Sequence, residues 1–261
     1  MSNEVLYTFK IFSVPHILFL AILIPAAVIL GIVLAKKVGY SNKVVWVCFF
    51  IGVISEIEKI VFFMQKHIIM IGETAINTYR LPAEHIPFNM CPMQIFLMLI
   101  LVMSLDIKKH SFLISFMYPT LVAGSAFAMF FPAVIDKGYH GLLDVATYRY
   151  FIYHALLVFL GFYLKKSKPV EFTIKSFGYA VVGISSAAII MVWINAFFGW
   201  DPGVNFFFLV YPPVQGLPFL NLDNGWGIYA LQIMGLGLLL FSLCYIKELI
   251  RDLPGLFKKK G

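Results

Sequence analysis

The stretch Ile17–Ala35, ILFLAILIPAAVILGIVLA, carries no charged side chain, and Lys36 and Lys37 follow it directly. A helix of about 20 apolar residues is long enough to cross the ~30 Å hydrocarbon core of a bilayer. A secretory signal would have a basic region before a short apolar segment and a small-residue cleavage site, and residues 1–16 lack that pattern. The stretch therefore predicts a transmembrane helix that stays in the mature chain.

The whole chain has the same apolar character. Of its 261 residues, 61% are hydrophobic and 13% are charged, and the mean hydropathy is +0.90. These values exclude a water-soluble globular domain. The net charge of +7 comes from lysines beside the apolar runs, where they set topology and contact anionic headgroups, so nucleic-acid binding is not expected.

Further apolar runs recur along the chain and predict an all-α, polytopic membrane bundle that forms a single domain over residues 1–261. Helix ends predicted in this way are uncertain by two to four residues. We expect seven transmembrane helices, at Ile17–Ala35, Val44–Met64, Pro92–Leu105, Phe112–Val134, Tyr148–Leu164, Phe177–Trp200 and Trp226–Ile246.

The basic residues between these runs predict the orientation, because cytoplasmic loops are enriched in Lys and Arg. One set of alternate loops holds fourteen Lys and Arg residues and the other holds five. The N-terminus is therefore expected outside and the C-terminus in the cytoplasm, as in a multi-pass protein of the cell membrane if the source is bacterial. The start of the third span and the aromatic loop before Trp226 then lie on the outer side.

Polar residues inside the spans are expected in the outer half of the membrane, which favours a site accessible from the outer leaflet. Such residues are costly in lipid and usually face the interior of a bundle. Glu56 and Lys59 are three apart on one helix and can form an ion pair, which is equally consistent with helix packing. Amides commonly form interhelical hydrogen bonds, and a lone histidine can be a packing residue. The other candidates are Gln94, His154, Asn195 and Gln232.

Cys91 is the one cysteine predicted on the outer side, since Cys48 and Cys244 lie near inner helix ends. No disulfide within the chain is therefore expected. Pro92 suits the first position of a helix, which would place Cys91 at the N-cap, where the helix dipole favours thiolate over thiol. This pattern predicts an activated nucleophile. The histidines and cysteines lack metal-ligand spacing, so neither a metal nor a cofactor is expected.

Several motifs together resemble the YwaF and transmembrane protein 164 family of seven-helix membrane proteins, from about Val44 to the C-terminus. They are EIEK in the second span, IPFNMCPMQIF, FFPAV, YRYFIYHALLVFLGFYL and NGWGIY. The resemblance implies an acyltransferase that acts on glycerophospholipids, with Cys91 and His154 as the catalytic pair. Bacterial relatives often have His two residues before the cysteine, where this chain has Asn89.

These observations predict a Cys-dependent acyltransferase or transacylase whose substrates are membrane lipids. Cys91 would form a thioester and His154 would transfer protons. Glu56, Lys59, Asn89 and Gln94 are candidates to orient His154 or to bind the oxyanion, with Asn195 and Gln232 as further supporting residues. Hydrolysis by water, as in a lipase, stays open. A seven-helix receptor or small-molecule carrier is the alternative from a different class.

Overall fold

The computed structural model describes residues 11–71, 74–104, 106–132, 144–201, 203–213 and 220–258. Nine α-helices and one β-hairpin make up these parts of the chain. The helices are α1 (Val14–Val38), α2 (Asn42–Phe63), α3 (Met90–Met103), α4 (Ser111–Pro119), α5 (Ser125–Phe130), α6 (Val145–Ser167), α7 (Ile174–Phe197), α8 (Trp226–Cys244) and α9 (Ile246–Lys258), and the strands are β1 (Gln65–Ile71) and β2 (Thr74–Arg80).

Five helical segments are long and apolar enough to cross a membrane, which makes the chain a multi-pass membrane protein. Four of them are α1, α6, α7 and α8. The fifth is the continuous helix Ile107–Phe130, which contains α4 and α5. A sixth predicted span corresponds to α3, which is apolar but has only 14 residues. The seventh corresponds to α2, which carries Glu56, Glu58 and Lys59. A count of seven spans stays a prediction.

Helix α6 lies at the centre of the bundle, where it packs against α1, α2, α4 and α5. Two glycines allow its closest approaches. A Cβ atom added at Gly31 of α1 would lie 2.6 Å from the carbonyl oxygen of Phe159. A Cβ atom added at Gly161 of α6 would lie 2.5 Å from the Val122 side chain. Small residues at membrane helix crossings let the backbones meet, and these two fix the position of α6.

A π-helical turn at Thr120–Gly124 joins α4 to α5. It follows Pro119, which has no N–H group and so cannot donate to the carbonyl oxygen of Ser115 one turn earlier. The hydroxyl of Tyr245 donates to that oxygen instead, at 2.8 Å. The widened turn leads directly to Ser125, whose side chain faces the start of α3. Such π turns are frequent at functional sites.

The prediction of an all-α chain is wrong at Gln65–Ile71 and Thr74–Arg80, which form an antiparallel pair of strands. Gln65 pairs with Arg80 and Ile71 pairs with Thr74. The two strands are rich in Ile, Thr and Tyr, the β-branched and aromatic residues that favour strands. A short apolar run such as that of β1 does not by itself predict a strand, because periodicity alone does not distinguish short strands from other apolar segments.

Candidate functional site

A cavity of about 250 Å³ lies inside the helix bundle. It is lined by α2, the start of α3, the π turn, α5, α6, α7, α8 and the segments before α3 and α8. Five of the eight predicted site residues line it together, namely Glu56, Lys59, Asn89, Cys91 and His154. The wall formed by α7 and α8 is apolar, with contributions from Ile184, Ile233, Leu240 and Phe241. The cavity therefore has a polar wall and an apolar wall.

Cys91 is the second residue of α3, because the helix begins at Met90 and Asn89 occupies the N-cap. The expected placement of Cys91 at the N-cap and Pro92 at the first helical position was wrong. Asn is itself a preferred N-cap residue, and proline is tolerated in a first turn whose N–H groups have no partner within the helix. Cys91 still lies in the first turn, where the helix dipole acts on it.

Two hydrogen-bond partners fix Cys91. The Tyr153 hydroxyl of α6 donates to its carbonyl oxygen at 2.9 Å. Its Sγ atom lies 3.9 Å from Oγ of Ser125, and either group can be the donor. The thiol is reduced, as are Cys48 and Cys244. The start of α3 is thus attached to the middle of α6, and the sulfur faces the cavity.

His154 lies on α6 with only 6% of its surface exposed. Its Nδ1 atom is 2.7 Å from the carbonyl oxygen of Tyr150. A carbonyl oxygen can only accept, so Nδ1 carries the proton and Nε2 keeps its lone pair in the neutral ring. Among the described side chains, no direct hydrogen bond joins His154 to Cys91. A reactive group of a ligand in the cavity can lie between them.

Glu56 and Lys59 form an ion pair in the cavity wall, with Oε1 and Nζ 2.5 Å apart and side chains 14% and 12% exposed. The expected pairing is therefore present. Arg149 lies on the same wall, and its charge attracts those of Glu58 and Glu56. The wall contains charges of both signs that partly balance one another.

The three remaining predicted residues do not line the cavity. Gln94 is fully buried and donates to Thr120 Oγ1 at 3.1 Å, which joins α3 to the π turn. Asn195 donates to the carbonyl oxygen of Phe206 at 3.0 Å and accepts from its N–H at 2.8 Å. Gln232 lies on α8 with a buried Oε1 that has no partner among the described groups. Gln94 and Asn195 therefore hydrogen-bond neighbouring segments of the bundle. This packing role is the alternative to a site role that applies generally to amides in membrane bundles.

Phe207 and Phe208 cover one end of the cavity in an unusual conformation, with φ of 58° and 55°. Non-glycine residues rarely adopt this left-handed region. Three side chains hold the segment, one at the N-cap of α3 and two on α8. Asn89 Oδ1 accepts from the Phe207 N–H at 3.4 Å, the Tyr229 hydroxyl donates to the Phe208 carbonyl, and Trp226 Nε1 donates to the Leu209 carbonyl at 2.7 Å. Strain of this kind is found at functional sites.

Sequence reasoning missed four residues that form the site: Ser125, Arg149, Tyr150 and Tyr153. The last three share one helix face with His154, since positions i, i+1, i+4 and i+5 lie close together on an α-helix. All four of these α6 residues line the cavity. The motif YRYFIYH contained this signal, because its polar groups recur at helical spacing.

We predict different effects for the two single substitutions of the ion pair. Glu56→Gln leaves Lys59 and Arg149 without that carboxylate and is expected to destabilise the protein by ~3 kcal/mol, whereas Lys59→Met leaves Glu56 near Arg149 and costs less. The double variant is expected to be more stable than Glu56→Gln. Thermal unfolding in detergent measures this order, and equal losses for both single variants would contradict it. A well-folded double variant that lacks the acyl transfer expected from the sequence would assign the pair a role beyond helix packing.

No group of three or more His, Cys, Asp or Glu side chains in the described ranges could hold a metal ion. Comparison with protein-family models gives a match to the TMEM164 family over residues 11–245. The match covers all but the first 10 and the last 16 of the 261 residues and confirms the resemblance found in the sequence motifs. No curated protein and no solved structure matches the chain.

Proposed function

This chain belongs to the TMEM164 family, and we propose that it is a membrane-embedded, Cys-dependent acyltransferase or transacylase that remodels phospholipid acyl chains. One observation carries the proposal: Cys91 and His154, from two different helices, line one cavity that has a polar and an apolar wall. The ester of a phospholipid joins an apolar acyl chain to polar glycerol, so it fits a site where an apolar wall meets polar side chains. The Nε2 atom of His154 is available as a base, because Nδ1 donates to Tyr150.

In the first proposed step, Cys91 Sγ attacks the carbonyl carbon of a lipid ester while His154 Nε2 accepts the thiol proton. The carbon–oxygen bond to the glycerol breaks, and His154 returns the proton to the leaving oxygen. A thioester on Cys91 and a lysolipid result. No cofactor is needed in this step.

In the second step, the hydroxyl of an acceptor lipid gives its proton to His154 Nε2 and attacks the thioester carbon. The carbon–sulfur bond breaks, and Cys91 recovers its proton from His154. Transfer of the acyl group is then complete, and the protein returns to its starting state. Water as the acceptor would give hydrolysis, the lipase outcome.

The negative oxygen that forms in both steps needs hydrogen-bond donors. We propose the first-turn N–H groups of α3, at Met90 and Cys91, since such groups have no acceptor within their helix. Asn89 is a second candidate, because it lines the cavity while its Oδ1 accepts from Phe207. Gln94 is not retained for this role, since its amide donates to Thr120 and Met90.

The proposal includes seven spans, an outer N-terminus and a site that faces the extracytoplasmic side. An impermeant maleimide applied to right-side-out vesicles is expected to modify Cys91 and to block acyl exchange, while Cys48 and Cys244 stay unmodified. Mass spectrometry of the three cysteine peptides gives the measurement. Modification of Cys244 from outside would reverse the topology and place the site at the inner leaflet.

The reaction itself is tested with phospholipid that carries a labelled acyl chain. The purified protein is expected to acquire the label on Cys91, and neutral hydroxylamine is expected to release it, because thioesters react with hydroxylamine and amides do not. Well-folded protein that shows neither adduct nor exchange with any phospholipid would favour a receptor or carrier.

A further inference from the structure

Arg149 is a cationic residue of the cavity wall with an incomplete set of partners. It lies in the second turn of α6, within the cavity lining. Its Nε atom is buried and has no hydrogen-bond partner in the described part of the chain. Glu58 and Glu56 attract its charge, but neither lies within the ion-pair distance of 4.0 Å. Its guanidinium group is therefore available to a ligand.

Lys59, a second cation of the cavity wall, differs from Arg149 because it has an ion-pair partner. Lys59 is already paired with Glu56 at 2.5 Å. A buried guanidinium donor without an acceptor is costly, because it has lost its hydrogen bonds to water. For this reason nearly all buried polar groups in proteins are hydrogen-bonded. An anion in the cavity would supply the missing acceptors, and a planar guanidinium binds two oxygens of a phosphate or carboxylate at once.

The position of Arg149 along α6 indicates what else the ligand contains. Arg149 precedes His154 by five residues, or ~7.5 Å along the helix axis. On the far side of the cavity, α7 and α8 present apolar side chains. A ligand bound at Arg149 therefore has its anionic group near the outer end of α6 and an apolar chain beside α7 and α8. The part of the ligand between the anionic group and the apolar chain then lies near Cys91 and His154.

We infer that Arg149 forms a headgroup subsite that binds the phosphodiester of a glycerophospholipid, an inference that rests on the proposed acyl-transfer function. In such a lipid only a few bonds separate the phosphate from the ester carbonyls, which is compatible with the ~7.5 Å between Arg149 and His154 along α6. The subsite gives the site a preference for phospholipids over neutral glycerolipids. It also positions one ester of the lipid near Cys91.

The test uses binding and not turnover, in the Cys91→Ala protein. The probes are dioctanoylphosphatidylglycerol, dioctanoylglycerol, which lacks the phosphate, and glycerol 3-phosphate, which lacks the chains. The protein is expected to bind the phospholipid at least about tenfold more tightly than dioctanoylglycerol. Glycerol 3-phosphate is expected to bind most weakly, because it leaves the apolar wall uncovered. Equal affinities for the two dioctanoyl lipids would overturn the inference before any further variant is made.

Adding Arg149→Gln is expected to remove the preference, by weakening phospholipid binding about tenfold or more while dioctanoylglycerol binding stays unchanged. Arg149→Lys keeps the charge but loses the two-point contact, and an intermediate value is expected. Arg80→Gln is the control, since Arg80 stacks on Trp200 outside the cavity. A loss of equal size for both lipids would show that Arg149 only stabilises the wall.

The two proposals fail separately. If the wild-type protein transfers no acyl group but phospholipid binding depends on Arg149, the acyltransferase is overturned and the phosphate subsite remains. If Arg149→Gln transfers acyl chains with an unchanged KM for phospholipid, the subsite is overturned and the acyltransferase remains.

Discussion

Cys91→Ala is expected to abolish both the acyl adduct and acyl transfer. The substitution removes the sulfur that would carry the thioester, and no other described nucleophile of the cavity occupies the first turn of α3. Residual transfer is expected to fall to background, a larger loss than the ~10²-fold typical of losing one acid–base group. Exchange of a labelled acyl chain between two phospholipids measures the rate, and gel detection of hydroxylamine-labile label measures the adduct.

The other two cysteines provide the matched controls. Cys48 is buried in α2 beside core residues and Cys244 ends α8, and neither lines the cavity. Cys48→Ala and Cys244→Ala are expected to keep the adduct and the transfer rate, with at most a loss of stability from the buried site. Cys91→Ser can retain slow transfer through its hydroxyl, so the alanine variant is decisive. Full lipid exchange by well-folded Cys91→Ala protein would end the nucleophile hypothesis.

Helix positions could be predicted from the sequence because a membrane imposes a minimum apolar length. Each of the predicted spans overlaps a helical segment, from α1 to α8. The hairpin at Gln65–Arg80 was missed because strands of seven residues give a weak pattern next to runs of 20. Pro119 and the π turn could not be located either, since a proline inside a helix has several structural solutions.

The sequence predicts a depth for each polar residue along its helix, but it does not predict the direction of the side chain around the helix axis. Cys91 and His154 both line the cavity. Asn195 and Gln232 have similar predicted depth but lie outside its lining. The hydrophobic pattern of a membrane helix identifies its inner face poorly, because both lipid and neighbouring helices accept apolar side chains.

Charge patterns predict a topology, but they do not predict the contacts of individual basic residues. Lys165 was counted as a marker of a cytoplasmic loop, yet its Nζ lies 2.8 Å from Glu248 of α9 and 4.2 Å from the centroid of the Phe172 ring. Arg149 was likewise counted as a loop charge but lines the cavity. A basic residue at a helix end can face the headgroups or turn inward, and only the packing of other elements decides between them.

The second large effect is expected for His154→Asn. The asparagine amide can replace Nδ1 as the donor to the Tyr150 carbonyl, which the ring contacts at 2.7 Å, so the local helix contact is preserved. What the variant loses is Nε2, the proposed proton acceptor. Acyl transfer is expected to slow by ~10²–10⁴-fold, the usual contribution of a positioned acid–base group. Phospholipid binding is expected to change little, because Nε2 acts on the reacting atoms.

Separate measurement of the two steps makes the result specific. A single-turnover experiment follows the appearance of label on Cys91, and addition of an acceptor lipid follows its removal. Both rates are expected to fall, because the same nitrogen takes the proton from the thiol in one step and from the acceptor hydroxyl in the other. Loss of only one rate would limit His154 to that step.

His16 gives a matched control, as a second buried histidine whose ring bonds are to the main chain. Its Nδ1 accepts from the Phe12 N–H at 2.8 Å, and its Nε2 lies 2.8 Å from the Met129 carbonyl oxygen, away from the cavity lining. His16→Asn is expected to lower the melting temperature but to keep transfer within about twofold in the folded fraction. If His154→Asn behaves in the same way, His154 is a packing residue, and the base that activates Cys91 has to be another group.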